Sequence, residues 1–193
     1  GQRISQSVDG DGILFQSSAS YIEVDNTFLQ FTPKKPWWLG LSLRSKFDST
    51  GTDAYGTSQH PILSFGDATL LVDDGEIQFA RGNEILLRVP LDPDHGMESP
   101  FTVTLECPSP NLIRLTYMLA DHEAVTEAWE MTTPLTRPDN VRIGGFQGSD
   151  PGMPAMVVRG LVLKTDTEMT ETDFIVLSTD PGAVCGPVDV PWK

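Results

Sequence analysis

Positive charge is scarce in this sequence. Against 27 Asp and Glu stand only 13 Lys and Arg, a formal net charge of −14. A field of that sign repels phosphate backbones, anionic lipid and sulfated glycans, which argues against polyanionic partners and nucleic acid. The basic residues do not cluster either: Lys34–Lys35 is the densest pair, with Arg44 and Lys46 further on. Neutral sugars, cations and protein surfaces remain as partner classes. Cysteine is nearly absent, with only Cys107 and Cys185, and no Cys-x-x-Cys or Cys/His spacing points to zinc. The two cysteines read either as a disulfide tying the C-terminal tail to the body or as unpaired thiols.

Long apolar runs are missing too. None approaches the ~20 residues that span a bilayer, so no membrane insertion is expected. No Asn-x-Ser/Thr acceptor occurs. The chain begins Gly-Gln-Arg with no signal peptide, the look of a processed or trimmed chain, so the missing signal is no argument for the cytoplasm. The setting expected is extracellular, periplasmic or cell-surface.

What is there is turn-rich and strand-like. The 193 residues include 39% hydrophobic residues, 17 Gly and 15 Pro, a globular composition. A chain of this length buries roughly 70% of its unfolded surface and needs no metal or disulfide to fold. Helical periodicity is almost absent, while short apolar runs recur between turn residues. Strands are expected near Gly12–Phe15, Ser20–Val24, Trp37–Phe47, Pro61–Phe65, Thr69–Val72, Glu76–Arg81 and Glu84–Pro90. The pattern continues at Phe101–Glu106, Leu112–Leu119, Ala124–Met131, Asn140–Gly144, Val157–Lys164 and Phe174–Leu177. Hairpin turns are expected at Asp74-Gly75 and Gly82-Asn83, where glycine takes positive φ, and at the polar Ala120–Glu123 segment. In the strand that follows, Val125, Glu127 and Trp129 share one face. Thr170-Glu-Thr-Asp173 reads as a capped helical turn.

Four segments in order resemble laminin G-like domains. ILFQSSASYIEVDN resembles their opening strands, and WWLGLSLRSKF with PILSFGDATLLVDDGEIQF is similar to the next ones. FTVTLECPSPNLIRLTYML is similar to the central ladder, and VRIGGF followed by VVRGLVL to the closing glycine-bearing strands. The resemblance implies an all-β, concanavalin A-like jelly-roll sandwich of two antiparallel sheets over residues 1–178. A Pro/Gly-rich strap or linker follows at 179–193. The loop Gln147–Met156 becomes a wide connection at the sandwich edge. The same resemblance implies calcium in the rim, where carboxylates and carbonyls converge from loops. Asp48, Asp53 and Asp150 are the favoured ligands because their loops are long. A place within a larger extracellular protein or assembly is also expected.

The jelly-roll superfamily also contains polysaccharide-degrading enzymes, and retaining glucanases need two carboxyls on one strand face. Glu23 and Asp25 share a face, but Phe28 stands where the second glutamate belongs. Glu123 and Glu127 share a face with Trp129 but lack the intervening Asp. His60, His95 and His122 fall in apparent turns, with no stripe of Arg and Tyr for a lyase. Serine-hydrolase, Walker and dinucleotide-binding patterns are absent. A non-catalytic module binding a neutral glycan or a protein surface is therefore expected, and a glycoside hydrolase or lyase is the alternative. Aromatic rings stack on sugars and populate interfaces. In PWWLGLSL one tryptophan turns inward and one outward, whereas Trp129 is expected between the sheets. Trp38, Tyr55, His60 and Asp150 are the candidate ligand contacts.

Overall fold

The computed structural model describes residues 4–6, 13–15, 22–26, 34–45, 60–73, 76–90, 101–119, 123–143 and 156–180. They include thirteen strands and a helix: β1 Ile4–Gln6, β2 Ile13–Phe15, β3 Ile22–Asp25, β4 Trp37–Ser45, β5 His60–Phe65, β6 Ala68–Asp73 and β7 Glu76–Arg81. Then come β8 Glu84–Pro90, β9 Phe101–Ser109, β10 Leu112–Leu119, β11 Val125–Glu130, β12 Asn140–Ile143, β13 Met156–Thr165 and helix α1 Glu171–Thr179.

Two antiparallel sheets result, as expected for a jelly-roll-like sandwich. One has seven strands in the order β1-β2-β13-β4-β9-β10-β11, and the other six in the order β3-β12-β5-β6-β7-β8. The alternation written into the chain decides what lies between them. On β6, Ala68, Leu70 and Val72 enter the core. On β10, Ile113, Leu115 and Tyr117 do the same. Trp37 of β4 meets Phe65 of β5 edge-on at 5.6 Å, joining the sheets, and Phe65 stacks on Phe79 at 6.3 Å. Such ring pairs contribute about 0.5–1.5 kcal/mol beyond their burial.

Turn chemistry fixes the register. Gly82 sits at φ +57 between β7 and β8, the left-handed conformation that the Gly82-Asn83 turn requires. At the other anticipated turn, Asp73 pairs with Glu76, while Asp74-Gly75 lies outside the described residues. β12 and β13 belong to different sheets, and residues 144–155 between them, which hold most of the anticipated Gln147–Met156 connection, lie outside the described residues.

One expectation changes, one strand is added and one open alternative is decided. Phe174–Leu177 is helical, because Thr170 and Asp173 form a reciprocal capping box that outweighs the strand preference of Phe-Ile-Val. The short β1 strand carried no readable pattern of its own. Cys107 is a free thiol buried between the sheets, its Sγ 3.0 Å from the Ser109 carbonyl. The disulfide reading is therefore set aside; Cys185 lies outside the described residues.

Helix α1 covers the outer face of the seven-stranded sheet. Its Leu177 packs with Trp38 of β4 and Val162 of β13 in a small second core, with Met169 against it. A Cβ on Gly40 would collide with the Leu177 side chain, so the bare backbone there is what lets the helix seat. Lys164 spans this layer: its Nζ lies 5.1 Å from the Trp38 ring centroid and 2.8 Å from Asp173 Oδ1.

Candidate functional site

The candidate site grows out of a mismatch between the sheets. β11 ends the seven-stranded sheet and β8 ends the six-stranded one. Trp129 is paired across from Ile113, so its ring points to the core side of its sheet. Beyond β8, however, no further strand stands opposite among the described residues. A side chain with inward parity is thereby left in the open, and Trp129 is 45% exposed. Val125 shares that face and is 44% exposed.

A bulge completes the geometry. Phe79 pairs with Leu87 and Ala80 with Ile85, so Leu86 has no partner across the β7–β8 ladder. Bulges redirect side chains at sheet margins. Here Leu86 joins Trp129 in lining a cleft of about 290 Å3, together with Arg81, Glu84, Glu130, Met131, Thr132 and Thr133. The cleft thus offers one open ring, an apolar floor, the Glu84 carboxylate and two hydroxyls, with Glu130 at its margin.

Its far wall is held by an ionic hub. Arg81 donates from Nε to Asp67 Oδ2 at 2.6 Å, from Nη1 to the Thr133 carbonyl at 2.8 Å and from Nη2 to the Pro134 carbonyl at 3.1 Å. The backbone amide of Thr136 donates to the other Asp67 oxygen at 3.3 Å. Burial would raise the Asp67 carboxyl, but the bonds from Arg81 and Thr136 outweigh it and hold it below its ordinary value. Gly66, at φ +58, brings the β5–β6 turn so close that a Cβ would stand 2.9 Å from the Thr136 carbonyl oxygen. Segment 131–138 is tied down further where Met131 donates to the Asn111 carbonyl at 2.6 Å. The buried Met131 and Leu135 anchor it from below.

The anticipated contacts fall elsewhere. Trp38 is 0% exposed beneath α1, because the face it occupies is roofed by Leu177, and it is removed from any open surface. His60 opens β5, but its side chain is outside the described set. Tyr55, Asp48, Asp53 and Asp150 also lie outside the described residues. Among the described residues no group of three or more His, Cys, Asp or Glu is placed to hold a metal ion. Of the candidate acids, Glu23 and Asp25 are exposed on β3, where Glu23 accepts from Arg142 Nη2 at 3.0 Å, and Glu123 and Glu127 are exposed beside and on β11. Trp129, expected between the sheets, is the residue that the structure brings to the surface. No described helix is long and apolar enough to cross a membrane.

No family model and no curated protein matches the sequence. Solved structures do match. The binding domain of botulinum neurotoxin DC, in complex with SialylT, superposes with a TM-score of 0.65 at 10% identity, over 91% of this chain and 44% of that one. The structure describing cell entry of botulinum neurotoxin type C as dependent on interaction with two ganglioside molecules matches with a TM-score of 0.65 at 11% identity, covering 91% and 44%. The DC binding domain in complex with rat synaptotagmin II matches with a TM-score of 0.65 at 8% identity, again covering 91% and 44%. The chain spans less than half the length of these structures, and at such identities the likeness establishes the fold, a β-sandwich.

Proposed function

We propose that this chain is a non-catalytic recognition module that takes its ligand, a neutral glycan or a segment of a partner protein, at the Trp129 cleft. The observation carrying this is the exposed Trp129 ring beside Leu86 and the hydroxyls of Thr132 and Thr133, while Trp37 and Trp38 are both buried. An open indole offers a stacking face to the apolar side of a sugar and equally anchors a protein interface. The like-folded toxin domains, one in complex with SialylT and one with rat synaptotagmin II, support a binding role for this architecture. Glu23 engaged by Arg142, and Glu127 on an exposed strand edge, favour binding over hydrolysis.

Within the sandwich class, the order of glycine-bearing strands favours the laminin G-like arrangement. The proposal therefore extends to calcium assistance from Asp48, Asp53 and Asp150, and to an extracellular, periplasmic or cell-surface setting. The test is a glycan array probed in calcium and again in EDTA, with Trp129→Ala alongside. Binding of a neutral glycan that Trp129→Ala abolishes is expected, and loss in EDTA assigns the calcium part. Glycan binding that Trp129→Ala leaves unchanged overturns the cleft as the site.

A further inference from the structure

The cleft is only part of what β11 presents. Among the described residues β11 pairs with β10 alone, and all six of its residues are exposed. A strand paired on one side turns alternate N–H and C=O groups to solvent, a ready template for one more strand. On its cleft face Val125, Glu127 and Trp129 follow at two-residue spacing, apolar, acidic, apolar. Glu130 projects from the opposite face, Glu123 precedes the strand, and Glu84 stands across the cleft on β8.

Among the described residues no cation is paired with these acids. Arg81 is spent on Asp67 and on the carbonyls of Thr133 and Pro134. Arg114, the cross-strand neighbour of Ala128, is also the cross-strand neighbour of Glu106 and acts on that carboxylate. Among the described residues the edge thus joins a strand margin paired only to β10, two apolar footholds and a row of carboxylates without a paired cation, in a chain already at −14.

We propose that β11 receives a basic, extended segment of a partner protein as an added strand, rather than a second copy of itself, which would set glutamates against glutamates. This rests on the cleft being a recognition site and names the partner class. Positions two apart on the incoming strand set an apolar residue against Val125, a Lys or Arg against Glu127 and an apolar residue against Trp129. Main-chain bonds provide the hold, and the charges choose the partner.

The full chain is titrated with a synthetic peptide of about seven residues that sets Val, Lys and Val at two-residue spacing with Thr and Lys between them, a strand-length probe, and with the same peptide carrying Glu for Lys. Tryptophan fluorescence reads affinity and hydrogen exchange locates the contact. The Lys peptide is expected to bind, to protect β11 amides and to weaken with salt. The double variant Glu127→Lys/Glu130→Lys is expected to lower affinity about tenfold or more without moving the thermal transition. Equal binding of both peptides, no binding, or protection confined to other strands overturns the proposal. Trp129-dependent glycan binding without peptide binding leaves the recognition reading standing and removes the added strand; failure of both removes both.

Discussion

Arg81 and Asp67 form a 2.6 Å ion pair that holds one wall of the cleft in place. Asp67 sits in the turn between β5 and β6, Arg81 ends β7, and through them the crossing segment around Thr133–Thr136 is fixed. Asp67→Ala leaves a partly buried guanidinium and a backbone amide without their acceptor. A loss on the order of 1–3 kcal/mol is expected in urea unfolding. Ligand binding at the cleft is expected to weaken beyond that, because Thr132 and Thr133 lose their anchor. Unchanged unfolding would remove the hub role.

Gly40 offers a second test. Its missing side chain is the seat of Leu177, the one buried residue of α1. Gly40→Ala is expected to push α1 off the sheet at a cost of about 1–3 kcal/mol, the range for overpacking. Hydrogen exchange is expected to rise in α1 and around Trp38, while strands on the other sheet keep their protection. Uniform loosening of both sheets would contradict a locally seated helix.

These two sites mark where the sequence was legible and where it was not. Strands and turns were readable because alternation and Gly82-Asn83 are local signals. The capping residues of α1 were readable for the same reason, but the β-branched run behind them pointed to a strand until Leu177 found Gly40 across the sheet. The two exposure errors share a cause. Trp129 has inward parity and Trp38 outward parity, and parity says nothing about what stands opposite. Trp38 is roofed by a helix distant in sequence, while Trp129 opens into the cleft it lines with Leu86 and Glu84 of β8, the end strand of the other sheet. The one sequence signal for the site was Val125, Glu127 and Trp129 on a single face, with a carboxylate among apolar residues.

The layer beneath α1 is expected to respond to pH in two opposite senses. Glu106 is 8% exposed, and burial raises its carboxyl above the ordinary value, opposed by Arg114, reinforced by Glu168 and opposed again by the Met169 amide. A raised carboxyl loses its proton in the unfolded chain first, so stability falls as pH climbs above the unfolded value. The bonds from Lys164 and Thr170 lower Asp173 to about 2. Its contribution is complete above the ordinary carboxylate range and is lost as pH falls toward that value. Helix docking is therefore tightest in mild acid. Thermal unfolding across pH is expected to show Glu106→Gln flattening the decline on the alkaline side and Asp173→Asn flattening the loss on the acid side. Identical profiles for wild type and Glu106→Gln would exclude the buried carboxyl as the cause.

Replacing each of two tryptophans separates fold from function. Trp37 is buried against Phe65 at the contact between the sheets, so Trp37→Ala removes a ring that nothing can replace. A cost of about 3–5 kcal/mol is expected, enough to consume much of the stability of a domain this size. Trp129 is nearly half exposed at the margin, and Trp129→Ala is expected to cost about 1 kcal/mol or less. Binding is expected to run the other way. A Trp37→Ala protein that still folds at low temperature keeps its cleft and its ligand, whereas Trp129→Ala keeps its thermal transition and loses the ligand. Paired calorimetry and binding on the two variants checks this directly. If both variants lose stability alike, Trp129 belongs to the core after all; if neither loses binding, the ligand sits elsewhere on the sandwich.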